Sequence, residues 1–293
     1  MVELFRALGA LAEPPGADLA PLGELLELGG LPDAVDHADL FLFQLPPFAS
    51  IYLGPEGKLG GETLDRIAGF WRAVGGSPPA EPDHLGALLG LYAGLLEASE
   101  REDEGARRAL GHRAAGALLH EHLLPWTGPY LGRIQDVGTP FYRRWAALLS
   151  RALSEAAATH EAPEAPAAHL RDAPSLPDPR TDGGAAFLDG LLSPVRSGMI
   201  LLRSDVATAA AETALGLRAG ERRYALEAMF AQDAAAVLDW LSGEAAAQAG
   251  RHEALTDTVG PAIASYWHTR AQETRRLLDE LSSATWEVTP CPA

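Results

Sequence analysis

Cysteine, aromatic side chains and positive charge are all scarce in this chain. Cys291, near the end, is the only cysteine, which excludes an intramolecular disulfide and any multi-cysteine metal site and fits a reducing compartment. Aromatics make up only 7% of the residues and β-branched residues are few, so the content that builds sheets is low. No stretch approaches the roughly 18 consecutive apolar residues of a membrane span. The opening "MVELFRALGALAEPPG" has no basic segment followed by an apolar core, as a secretory signal would. The expectation is a soluble, cytoplasmic protein without membrane insertion.

Enzyme signatures are missing as well. The chain has no "GxSxG" elbow, no "HExxH" and no dinucleotide fingerprint, and each of these is a spacing that its chemistry requires. The nearest approach to a phosphate loop is "YLGPEGKLGGE". Its Gly57-Lys58 is followed by Leu59 where a magnesium-ligating hydroxyl belongs, and Tyr52 occupies the place of the first glycine. No catalytic residue, cofactor or nucleotide site is assigned.

Acids are plentiful: 40 against 23 bases, a formal charge of −17. Residues 1–100 hold 15 acids and 4 bases, a net of −11, while the remaining residues hold 25 and 19, a net of −6. An acidic surface repels phosphate backbones and anionic lipid, which argues against nucleic acid and membrane and for a cationic partner. Solubility alone, or a saline cytoplasm, accounts for the charge equally well. Apolar residues, at 47%, are sufficient for real cores.

Those apolar residues recur at helical spacing. Leu85, Leu88, Leu89, Tyr92, Leu95 and Leu96 form one continuous stripe, and similar stripes run through "ETLDRIAGFWRAV", "EGARRALGHRAAGALLHEHLL" and "TPFYRRWAALLSRALSEAA". No segment shows sustained alternation, so the fold class is all-α. Residues 159–182, rich in Pro, Ala and small polar residues, read as a linker or a connection hugging the surface. They separate a helical unit over 1–158 from a second over 183–293, in which "SDVATAAAETALGL", "GERRYALEAMFAQDAAAVLDWLSGEAA" and "VGPAIASYWHTRAQETRRLLDEL" are helical.

Two segments invite sharper readings that their chemistry does not support. His112, His120 and His122 lie close in sequence, yet His120 and His122 are two apart and diverge on a helix, so no metal is assigned. The segment from Ser204 could pass for a helix-turn-helix, but basic residues do not line it.

A third segment is "PPAEPDHLGALLGLYAGLL". Pro82 suits the first helical turn, and Glu81 and Asp83 suit the positive end of the helix dipole. His84 is the residue capping does not ask for, because an imidazolium is disfavoured there. A neutral ring offers one donor and one acceptor, fitting either a local hydrogen bond or peptide recognition.

"EPDHL" is followed about forty residues later by "HLLPWTGPYLGRI" and then by "TPFYRRWAALL", with "LPPFASIYLGPEGKLGGE" upstream. In this order and spacing the chain, over residues 35–155, resembles the TorD/DmsD/NarJ family of redox-enzyme maturation chaperones. The resemblance implies a TorD-like helical bundle with an additional C-terminal helical unit. It further implies a non-enzymatic cytoplasmic chaperone, monomer or homodimer, that binds an apo molybdopterin-containing oxidoreductase subunit, often through its twin-arginine signal peptide. The same fold kept as a helical scaffold or regulatory binding module, without such a client, is the alternative. Carried over by position, the partner-binding residues are Glu81, Pro82, Asp83 and His84, then His122, Leu123, Pro125 and Trp126, with Phe141 and Tyr142 beyond. The family's box has one further residue between the proline and the Asp-His pair. Asp83 and His84 therefore match in place, while Glu81 and Pro82 are displaced by one position. On this reading Glu81 and Asp83 attract the partner's arginines, while His84 and Trp126 shape the groove beside them.

Overall fold

A computed structural model of the chain describes residues 1–285; Cys291 lies outside them. Among the described residues there is no strand, only an isolated antiparallel bridge between Phe48 and His84. The first half contains α1 (Val2–Ala10), α2 (Ala49–Leu53), α3 (Gly61–Ala73), α4 (Leu85–Arg101), α5 (Gly105–Leu118), α6 (Leu124–Val137) and α7 (Pro140–Ala157). Its other principal segments are a helical run from Ala34 that becomes π-helical over Ala38–Gln44 and a π-helical turn at Leu119–Leu123 that joins α5 to α6.

One face of α4 carries the expected stripe, with Leu85, Leu88, Leu89 and Tyr92 fully buried. The helix α1 crosses it at a point where Gly9 meets Gly86. A Cβ on Gly9 would come within 3.2 Å of the Gly86 carbonyl, so the absence of a side chain is what permits the approach. Around this crossing α6 and α7 deliver Trp126, Tyr130, Tyr142 and Trp145, each fully buried in the same core. Aromatic rings are few, but they are concentrated where each buries the most area.

The second half contains α8 (Gly184–Leu191), α9 (Arg203–Glu212), α10 (Arg222–Phe230), α11 (Ala234–Glu253) and α12 (Pro261–Thr285). Asp233 accepts from the backbone N–H of Ala236 at 3.0 Å and starts α11. This side-chain cap places a helix boundary inside the helical stretch "GERRYALEAMFAQDAAAVLDWLSGEAA". The helices α11 and α12 form an antiparallel hairpin, pinned by Ser242 to Asp279, Ser282 to Asp239 and His268 to the Ala249 carbonyl. A smaller core, including Phe187, Met229, Leu241 and Leu278, lies within these helices.

This half also completes the first core. Val195, Ile200, Leu202, Ile263 and Trp267 are buried with the residues of the first half, and the Trp267 indole donates to the Pro125 carbonyl at 2.7 Å. Arg133 of α6, 6% exposed, holds both carboxylate oxygens of Asp205 on α9 at 2.7 Å and Asp136 at 2.7 Å. The proline-rich connection follows the surface and is fastened along it. Ala167, His169 and Leu170 are buried, Glu121 accepts from Ala168 at 3.0 Å, and Arg270 donates to the Ala173 carbonyl at 2.8 Å.

Candidate functional site

The "EPDH" segment does not form the first turn of α4, as the placement of Pro82 suggests. The helix begins three residues later, at Leu85, and its N-cap is His84. The reason lies in what residues 81–85 bond to. They run antiparallel to residues 46–50: Ala49 donates to the Asp83 carbonyl at 3.0 Å and Leu85 to the Pro47 carbonyl at 2.8 Å. The Trp71 indole takes the Pro82 carbonyl at 3.2 Å. These bonds across the chain hold the segment extended and leave the helix to start at the next free residue.

Each motif residue then has a definite task. The Asp83 carboxylate, 1% exposed, accepts from the backbone N–H of Ser50 at 3.0 Å. It thus caps α2, a helix that its own preceding residue, Phe48, does not cap with a side chain. A carboxylate at a helix N-terminus gains from both the free N–H groups and the helix dipole. The His84 Nδ1 accepts from the Gly86 N–H at 3.1 Å, which is the local hydrogen bond of a neutral ring. The same nitrogen lies 3.2 Å from a carboxylate oxygen of Glu13, a contact that a protonated ring would use. One nitrogen can accept or donate but not both, so the neutral state favours the cap and the charged state favours Glu13. The ring packs edge-on against Phe48, with centroids 5.0 Å apart. Pro82 is buried, while Glu81 is exposed and has no ion-pair partner among the described residues.

The second motif reaches the same short helix from the other side. Trp126 is fully buried and stacks on Tyr52 of α2, 5.2 Å between centroids and 7° between planes. Its indole donates to the His122 carbonyl at 2.9 Å, and Tyr52 in turn donates to the Pro46 carbonyl at 2.9 Å. Residues 46–53, from "LPPFASIYL", are therefore the hub: Asp83 caps them and Trp126 stacks on them. Pro125 is buried beneath Trp267, and Leu123 is fully buried. Tyr142 stands apart, in an aromatic cluster with Phe41 and Trp145, and its buried hydroxyl has no hydrogen-bond partner. Phe141 packs edge-on against it.

His120 and His122 diverge, even though the chain there is π-helical. His122 faces inward, its Nδ1 3.2 Å from the His169 Nε2 and its ring against Phe70. Burial pushes the His122 imidazole down to about 3 and His169 to about 4, helped at His122 by the neighbouring ring. Both are therefore neutral near pH 7 and share one proton along their hydrogen bond. Among the described residues no three His, Cys, Asp or Glu side chains are placed to hold a metal ion.

Sequence reasoning missed Glu13, Phe48 and Ser50, the residues that meet the motif. Their signal was available in part, because "LPPFASIYL" stood out beside the box. Glu13 is 71 positions from His84 in sequence, and only the crossing of α1 over α4 brings it there.

Known proteins share this part of the chain. Residues 9–131 match the family described as the nitrate reductase delta subunit. The chain is also 33% identical over 125 residues to the chaperone protein YcdY of Escherichia coli (strain K12), covering 41% of this chain and 61% of that relative. The chain thus spans about three-fifths of the relative's length. The matched stretch contains the hub, the Asp83–His84 pair and the Trp126 stack. Residues 9–131 are thus similar to the nitrate reductase delta subunit family, and this likeness agrees with the resemblance to the TorD/DmsD/NarJ family that the motifs carry.

Proposed function

We propose that this protein is a cytoplasmic maturation chaperone for a redox enzyme. It would bind the apo form of a molybdopterin-containing oxidoreductase subunit, through its twin-arginine signal peptide or its core, until the cofactor is inserted. The observation that carries the reading is the meeting of two separated family motifs on residues 46–53, inside the matched segment. The relative in the comparison is itself named a chaperone, and no helix among the described residues is long and apolar enough to cross a membrane.

In this reading the motif residues divide their work. Asp83, Pro82, Pro125, Trp126, His122 and Tyr142, all buried, hold the surface in shape. Glu81, exposed, and Glu13, with about half of its side chain exposed, flank His84 and present the charge that a partner's arginines meet. Exposed charges of this kind chiefly steer and orient a partner, whereas the buried residues decide whether the surface exists. Affinity capture from the native organism, with the full chain as bait and mass spectrometry of what co-purifies, tests the proposal. Recovery of an apo-molybdoenzyme subunit supports it. Its repeated absence, with other proteins recovered instead, favours a scaffold or regulatory module built on the same fold.

A further inference from the structure

Away from both motifs, two cavities lie side by side where the proline-rich connection passes over α5 and the start of α12. The first, about 570 Å³, is walled by His112, His120 and His160 with Glu121, Glu161 and Glu164. The second, about 330 Å³, is lined mainly by alanines and prolines of residues 157–167 and by Val259 and Ile263. His120, Ala162 and Pro163 border both, so the cavities form one strip with a polar end and an apolar end.

The polar end is a built structure. His160 is held by the Tyr92 hydroxyl, 2.9 Å from its Nε2, and its ring lies 4.4 Å from that of His112. Glycine at residue 116 gives the ring room, since a Cβ there would lie 3.0 Å from the imidazole Nδ1. The Nε2 of His120 is shielded from solvent and has no hydrogen-bond partner, an arrangement that native proteins rarely leave unfilled. Burial, and then the neighbouring rings, push His160 down to about 4, so this ring is uncharged near pH 7. Three carboxylates border the cavity against one cation, Arg113, and none of the three has an ion-pair partner among the described residues.

We propose that this strip is a binding site for an extended peptide segment carrying an arginine followed by an apolar residue. It rests on the chaperone reading for the origin of the peptide. The chemistry selects each part of the ligand. A guanidinium is a flat cation whose face stacks on aromatic rings and whose edge donates several hydrogen bonds. The His112 and His160 rings supply faces, His120 supplies a ring nitrogen without a partner, and Glu161 and Glu164 supply the counter-charge. A lysine ammonium has no flat face to use the rings. The adjoining cavity, lined mainly by alanine, proline, valine and isoleucine with Ser154, Thr256, Asp257 and Thr258 also on its border, takes the next side chain on its apolar part.

The probe is the tetrapeptide acetyl-Ala-Arg-Leu-Ala-amide, titrated calorimetrically into the full chain beside a version with citrulline in place of arginine. Citrulline keeps the shape and removes the charge. The arginine peptide should bind about tenfold or more tightly than the citrulline peptide, as truncating a charged contact does. Glu161→Gln with Glu164→Gln should erase most of that difference, and because both residues are exposed these variants keep the fold. His120→Ala, checked for unchanged helicity, should weaken the arginine peptide as well. Equal affinity for the two peptides, no binding of either, or full affinity in the Glu161→Gln, Glu164→Gln protein overturns the site. If peptide binding fails while an apo redox subunit is still captured from cells, the site falls and the chaperone reading stands. The reverse pattern leaves the site and removes the client.

Discussion

Asp83 shows how one side chain can serve local folding and a long-range contact together. Its carboxylate belongs to the approach to α4 but caps α2, 33 residues earlier in the chain. Replacing it by alanine leaves the Ser50 N–H buried and unpaired, and losing such a cap costs about 1 to 2 kcal/mol. Asp83→Ala should therefore lower the urea midpoint by that equivalent, and Asp83→Asn, which keeps an acceptor, by less. Equal stability of all three proteins would show that the cap contributes nothing. An acid before a helical stripe is legible as a cap, but the helix it caps is not, because the bond partner lies in a different part of the chain. The same holds for His84, whose local hydrogen bond could be anticipated at a helix start, while Glu13 follows only from the fold.

The buried histidines make a second prediction at this scale. His122 is pushed to about 3, and His160, His169 and His252 each to about 4, in every case mainly by burial. An unfolded histidine titrates near 6.5. Between these values the unfolded chain binds protons that the native chain does not, so stability is full above about pH 6.5 and is lost as pH falls toward 4. Each such group contributes up to about 1.4 kcal/mol per pH unit across that window. Stability of the wild type measured by urea at pH 7, 6, 5 and 4.5 should fall steadily, and His169→Gln should show a shallower slope. A wild-type profile flat to pH 4.5 would contradict the neutral assignment.

At the scale of elements, helices were legible wherever an apolar stripe met a free end, and misplaced where a tertiary bond intervened. The helix α4 begins late because residues 81–85 pair with residues 46–50. The helical stretch from Gly220 is divided at Asp233 by a cap that a hydrophobic pattern does not reveal. The contact that fastens α6 to α9, Arg133 with Asp205, was not legible, since the two residues stand in separate quoted segments and only the fold brings them together. The Arg133 Nη2 reaches both carboxylate oxygens, with the guanidinium side chain 7% exposed and the carboxylate 15%. Removing Asp205 leaves the guanidinium with Asp136 alone and the Leu202 N–H without its acceptor, at a cost of about 3 kcal/mol. Asp205→Ala should be destabilised to that degree, and the double variant Arg133→Met with Asp205→Leu should recover much of the loss. Matching losses in both proteins would assign the effect to packing instead of charge.

For the whole molecule, two cores were legible from the stripes on either side of the proline-rich segment, but their sharing of residues was not. Trp267 and Ile263 belong by sequence to the second half and by burial to the first core. The matched family segment ends at residue 131, so helices beyond it, α7 and α12 among them, complete the core on which the motif residues rest. The acidity concentrated in the first hundred residues is a property of the same scale. It is expressed around His84 by Glu13 and Glu81, and no single residue pattern revealed that pairing. The central claim is that this face receives a redox-enzyme subunit before its cofactor does. The measurement that tests it most directly is quantitative capture from the native organism by the full-length wild type and by Glu13→Gln with Glu81→Gln, comparing the amounts of co-purifying proteins. The account predicts an apo-molybdoenzyme subunit enriched by the wild type and reduced severalfold by the variant, with unchanged helicity of the bait. Capture of no such subunit, or equal capture by both baits, would contradict it.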